Sequence, residues 1–245
     1  MARLTRKKLV IALLIIAFFI ISSVLFLQPR PVLQFLAARS PDVLYFVPVD
    51  ERVVALTIDD APHPMVTPRL LDVLKDNGAH ATFFVIGDHA RGNEHILRRA
   101  RSEGHELGNH LAREHPSIWL SAAQFEQELA EVDSIIAPLP GRTKWFRPGS
   151  GWYSRRMLDQ AKSHRYRCAL GSVYPFDTII RNRRVMATYI RNRVFPGAVI
   201  ILHDGKPDRV RSALVLSDVL PDLKTAGYRV VTLSELVQTG RHRGP

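Results

Sequence analysis

Cysteine is almost missing from this chain: Cys168 is the only one, so no intrachain disulfide can form. It lies in an apolar stretch, 166–170, where a thiol serves packing rather than nucleophilic attack. Acidic residues are absent from the first 40 positions, which carry six basic side chains, Arg3, Arg6, Lys7, Lys8, Arg30 and Arg39. These supply more than half of the net charge of +11, since the other 28 basic residues face 23 acidic ones. No aromatic-interleaved basic patch and no nucleic-acid-binding motif accompanies the surplus, which excludes nucleic acid as the expected partner. Low-complexity tracts and internal repeats are also missing. With 46% hydrophobic and 23% charged residues over 245 positions, disorder is excluded and a sizeable core is available.

Charge is absent from 9–27, an apolar run that follows the first four basic residues. At about 1.5 Å per residue its length suits a hydrocarbon core of about 30 Å. A cleaved signal peptide would have an apolar region of about 7–15 residues ending in a small-x-small site, whereas Gln28, Pro29 and Arg30 follow here. The sequence therefore predicts a cytoplasmic basic N-terminus over 1–8, a transmembrane anchor over 9–27 that makes the membrane a partner, and a linker over 28–50. The basic cluster puts the folded domain, 51–240, outside the cytoplasm; secretion after cleavage is the alternative.

Beyond residue 50, short apolar runs alternate with amphipathic stretches. The runs 53–58, 81–86, 105–107, 145–147, 167–170, 198–203 and 228–233 read as strands, and 67–77, 93–103, 122–136, 154–163, 185–193 and 210–225 as helices. Ser121 and Gln124 form a capping-box start, and Gly78, Gly104 and Gly227 are stops. This alternation predicts an α/β protein on a mostly parallel sheet, either an open doubly wound sheet or a nearly closed barrel. In both, active-site groups gather at the C-terminal ends of the strands.

Ionisable residues do collect there. Asp59 and Asp60 follow the first strand, His110 the third, Arg147 ends the fourth, and His203 with Asp204 close the sixth. Two adjacent carboxylates followed by Pro62, His63 and Pro64 make a poor helix cap. They repel each other unless a cation relieves them, and a divalent metal on one leaves the other free as a base. The segment 104–116 holds three histidines and two glutamates, donors that suit a zinc-like ion. On a helical turn Glu114 would share the face of His110; on an irregular one His115 is the better nitrogen donor. His203, delivered by a very apolar strand, suits protonation of a leaving group. A serine hydrolase is disfavoured, because Gly149-Ser150-Gly151 is not a nucleophile elbow.

In order, these segments resemble the polysaccharide deacetylases, the carbohydrate esterases that share the NodB homology domain. Thr57-Ile58-Asp59-Asp60-Ala61-Pro62 is similar to Thr-Phe-Asp-Asp-Gly-Pro, and Gly108-Asn109-His110 to the start of a His-(Ser/Thr)-x-x-His motif. Phe146-Arg147-Pro148-Gly149-Ser150-Gly151-Trp152 is similar to Arg-Pro-Pro-Tyr-Gly, and Ile201-Leu202-His203 to Leu-x-His. The resemblance implies a distorted (β/α)7-type barrel that removes acetyl groups from N-acetylated sugars with a divalent metal, zinc being the expected ion. It implies Asp59 as base braced by Arg147, Asp60 and His110 with Glu114 or His115 as metal ligands, and His203 as acid. His63, Trp152, Tyr174, Asp177 and Leu202 are implied to line the carbohydrate groove. The chain departs from the family at Ala61 for Gly, Leu111 for Ser or Thr, Glu114 for the second His, Tyr174 for Asp and Thr178 for Trp. The first would strain any positive φ at Ala61; the others bear on metal affinity and on the tuning of His203.

Overall fold

The computed structural model describes residues 6–141 and 144–241, apart from the side chains of residues 9 and 19–26. The chain divides into two units, residues 1–41 and 42–245.

The first unit contains α1 (Arg6–Leu27) and α2 (Arg30–Arg39). Pro29 is extended and Pro31 occupies the first turn of α2, where a missing N–H leaves no bond unmade. Part of the expected linker is thus helical. Among the described residues no helix is long and apolar enough to cross a membrane. The anchor expected over 9–27 is helical within α1, but most of its second half lies outside the described side chains.

The second unit is built on parallel strands: β1 (Val43–Leu44), β2 (Val53–Ala61), β3 (Ala81–Val85), β4 (Glu106–Asn109), β5 (Trp145–Phe146), β6 (Arg167–Ala169), β7 (Val199–His203) and β8 (Arg229–Val231). Their order is β1-β6-β5-β4-β3-β2-β7, and β8 pairs with the start of β2. The helices between them are α3 (Thr67–Asp76), α4 (Gly87–Ala90), α5 (Glu94–Ser102), α6 (Ala122–Ile136), α7 (Arg155–Ser163), α8 (Arg183–Arg193) and α9 (Val210–Thr225), with α10 (Leu233–Arg241) last. The capping box of α6 is formed by Ser121 and Gln124. Gly78, Gly104 and Gly227 follow their helices with positive φ. The linker expectation also gives way at β1, where Val43 and Leu44 pair with Cys168 and Ala169.

The sheet curls back on itself. Phe46, after β1, bridges to Ala198, and Val173, after β6, bridges to Ile200 of β7. The result is barrel-like, but isolated bridges rather than a full ladder join its seam. Alternation on β2 separates two cores. Val53 and Ala55 pack inside the curl with Phe84, Trp145, Val199 and Leu236, while Val54, Leu56 and Ile58 pack outward with Leu70, Leu74 and Val219 of the helices.

Candidate active site

The inward column of β2 begins apolar at Val53 and Ala55 and continues through Thr57 to Asp59 at the mouth of the curl. Strict alternation would turn Asp60 outward, away from Asp59. Instead, the pairing of β2 with β3 shifts register between Ile58 and Ala61, and Asp60 adopts φ +64°. This irregularity re-aims the second carboxylate, so that both acids line one cleft of about 520 Å³. The positive φ here falls on Asp60 and not on Ala61, so the strain weighed for the alanine does not arise, and aspartate tolerates this conformation better than most residue types.

Two neighbours hold Asp60 in this conformation. The Asp60 carbonyl lies 2.8 Å from Nδ1 of His89, in α4. Gly205 lies against both residues: a Cβ there would come within 2.7 Å of the Asp60 Cβ and 3.1 Å of the His89 Cε1. The sequence reading missed His89, whose only signal is a histidine in the turn after β3.

Arg147 is 2% exposed and makes four hydrogen bonds. Nε donates to the Ala169 carbonyl at 2.8 Å and Nη2 to the Leu170 carbonyl at 2.7 Å. Nη1 donates to Thr57 Oγ1 at 2.9 Å and to Asp59 Oδ1 at 2.5 Å. The guanidinium lies 4.1 Å over the Phe84 ring, so an apolar floor supports it. Asp59 Oδ2 faces the cleft, 3.9 Å from Nε2 of His110 and 4.0 Å from Nε2 of His203.

His110 donates from Nδ1 to the Arg147 carbonyl at 2.7 Å, which leaves the lone pair on Nε2. Nε2 approaches Asp60 Oδ1 at 3.5 Å. Burial opposes the charge on both residues, yet their mutual attraction prevails: the Asp60 carboxyl is held below its ordinary range and the His110 imidazole above its own. Once Nε2 gives up its proton, its lone pair and the facing carboxylate oxygen are suitable donors for a divalent metal, and the second imidazole nitrogen has the carbonyl partner typical of metal-binding histidines. The pair therefore fits a metal as two ligands. Among the described residues no third His, Cys, Asp or Glu completes a cluster.

Neither expected third ligand stands beside them. His115 Nε2 lies 2.9 Å from Oε1 of the buried Glu128, and Glu114 Oε1 accepts from Lys206 Nζ at 2.5 Å. The segment after β4 is irregular rather than helical, and Leu111 has φ +67°, so the helical argument for Glu114 does not apply.

His203 is the register partner of Asp59 on the neighbouring strand. Its Nδ1 lies 2.9 Å from Asp177 Oδ1, and its backbone N–H donates to Asp177 Oδ2 at 2.7 Å. Burial disfavours the imidazolium, but Asp177 first, then Asp59 and Asp60, outweigh it and raise the pKa to about 9. Asp177 is fully buried and receives Ser212 Oγ at 3.2 Å, so it orients His203 and does not line the groove. Leu202 is buried as well, and Ile201 faces the cleft in its place. Tyr174 lines the cleft, with its ring 5.6 Å from that of His203 and its hydroxyl 2.5 Å from Thr178 Oγ1. His63 and Trp152 do not line it: His63 accepts at Nδ1 from the Met65 N–H, and Trp152 is 69% exposed next to the lining residue Gly151.

Residues 47–169 match the polysaccharide deacetylase family model. The chain is 32% identical over 198 residues to a peptidoglycan-N-acetylglucosamine deacetylase of Bacillus cereus, covering 80% of this chain and 93% of that one. A crystal structure of a peptidoglycan N-acetylglucosamine deacetylase superposes with a TM-score of 0.77 at 28% identity, covering 83% of this chain and 96% of the other. A family 4 acetyl xylan esterase from Clostridium thermocellum, solved with a cobalt ion, gives a TM-score of 0.71 at 31% identity, over 76% and 90% of the two chains. With its strand-end site and these similarities together, the chain belongs to the polysaccharide deacetylase family.

Proposed function

We propose that the protein is a deacetylase of N-acetylated sugars in a glycan, with peptidoglycan or a chitin-like oligomer as substrate. The observation that carries this reading is Asp59, fixed through one oxygen by Arg147 while its other oxygen faces His110 and His203 across the cleft. Asp59 accepts the proton of the attacking water, and Arg147 keeps its carboxylate oriented and charged. His203 holds a proton on Nε2, because Nδ1 is engaged with Asp177, and delivers it to the departing sugar amine. Bound by Asp60 and His110, a divalent metal such as zinc would polarise the acetyl carbonyl and lower the pKa of water.

Asp59→Asn and His203→Ala, each purified folded and metal-loaded, should release almost no acetate from chitin oligomers or peptidoglycan fragments. Full activity in either variant would overturn the assignment. A second reading, a glycan-binding protein with impaired catalysis, is favoured because, among the described residues, no third metal-binding side chain stands beside Asp60 and His110. It predicts glycan binding without acetate release in a metal-replete preparation. Acetylated xylan in the same panel, with and without chelator, separates amide from ester hydrolysis.

For location, we infer an N-terminal anchor with the sugar-binding domain on the outer side of the membrane. The uncharged run 9–27 after four basic residues supports it, as do Ile11, Leu14, Ile16 and Phe18, each more than half exposed on α1. Recovery of the full chain in the soluble fraction, after lysis without detergent, would count against the anchor.

A further inference from the structure

We propose that Glu114 is the third metal-binding side chain and that Lys206 competes for it, holding it at the rim of the cleft until a divalent cation draws it in. The inference rests on the reading of Asp60 and His110 as metal donors, and it assigns Lys206 a role in setting metal affinity.

Three observations carry it. First, Glu114 lines the same cleft as Asp60 and His110, on the segment that begins at His110. Second, its carboxylate is paired with Lys206, at 2.5 Å, with side chains 42% and 50% exposed. Such a water-screened pair changes an equilibrium by about fivefold at most, so a divalent ion with open coordination positions can displace it. Third, the rival donor is held much more firmly. His115 pairs with Glu128, whose side chain is 5% exposed and also takes hydrogen bonds from the Arg113 N–H and Nη1. Withdrawing His115 would strip a partner from a buried carboxylate, which is far less favourable than parting an exposed pair.

Lys206 sits three residues beyond His203, in the turn after β7. The turn that follows the proton donor therefore carries the cation that restrains the metal donor. Occupation of the metal position would free Lys206 from Glu114, leaving an ammonium group at the cleft rim beside an incoming anionic or acetylated sugar.

The test is a titration of the full chain with Co²⁺, read by ligand-field absorption and by calorimetry, for wild type, K206M, E114Q, the double variant and D60N. K206M should tighten Co²⁺ binding by about three- to fivefold, and E114Q should weaken it by about tenfold or more. In the E114Q background K206M should add less than about half of its own effect, since the contact it relieves is gone. Unchanged affinity in E114Q, or equal tightening by K206M in both backgrounds, would overturn the proposal, the second outcome marking a general charge effect. If wild type binds no Co²⁺, or D60N binds it as well as wild type, the metal-site reading itself fails and the proposal with it. Both substituted side chains, Glu114 and Lys206, are about half exposed, so matched melting curves show that the fold is intact.

Discussion

Asp177 governs the state of His203 without reaching the cleft. Because His203 must be protonated to act as an acid, activity should persist up to about pH 9 and fall as the pH rises through that value. Asp177→Asn removes the strongest favourable charge and should move this alkaline limb down by about one to three pH units. A pH profile of kcat on the metal-loaded variant checks it, and an unmoved limb would detach Asp177 from the chemistry. The same raised pKa contributes stability that is complete below the ordinary value of 6.5 and lost as the pH climbs through about 9. Arg147 offers a structural counterpart: Arg147→Met leaves Asp59 buried without its cation, so urea unfolding should show a loss of about 3–5 kcal/mol. Asp59, Asp60, His110, Arg147 and His203 were legible as site candidates because their strands are apolar enough to locate, and they lie at the strand ends. Residues whose part depends on a backbone contact, such as His89, or on a rival partner, such as Lys206, leave no mark in local sequence.

At the level of elements, the bulge at the end of β2 explains what a period of two cannot: two consecutive aspartates facing one cleft. It also makes the turn after β7 intolerant of a side chain. Gly205→Ala meets both a φ of +79° and the Asp60 backbone, so it should cost about 1–3 kcal/mol and weaken metal binding. His89→Ala should weaken metal binding by about tenfold, while His89→Asn, which retains a donor close to the position of Nδ1, should recover most of it. Calorimetric titration of these three variants tests the bracing of Asp60. The strands that were readable from sequence were those with apolar runs and glycine stops, from β2 to β8. Strand β1 is only two residues long, and its pairing with Cys168 and Ala169 is a tertiary fact. Helix α10 was hidden because its buried residues Leu233 and Leu236 continue the apolar run of β8.

For the whole molecule, the division after Pro41 gives a direct prediction. A chain lacking residues 1–41 should fold, stay in solution without detergent and match the full chain in deacetylating soluble oligomers, while losing membrane recovery. Sedimentation and acetate release measure both halves of this statement. A wider consequence comes from Asp59 and His203 being ladder partners on β2 and β7. Adjacent strands stand about 4.8 Å apart whatever covers them, so the gauge between the proposed proton acceptor and proton donor is set by main-chain hydrogen bonds. Remodelling of loops and helices can lengthen, charge or narrow the approach to the cleft and leave that gauge untouched, which frees the choice of glycan from the distance over which the proton must be handled.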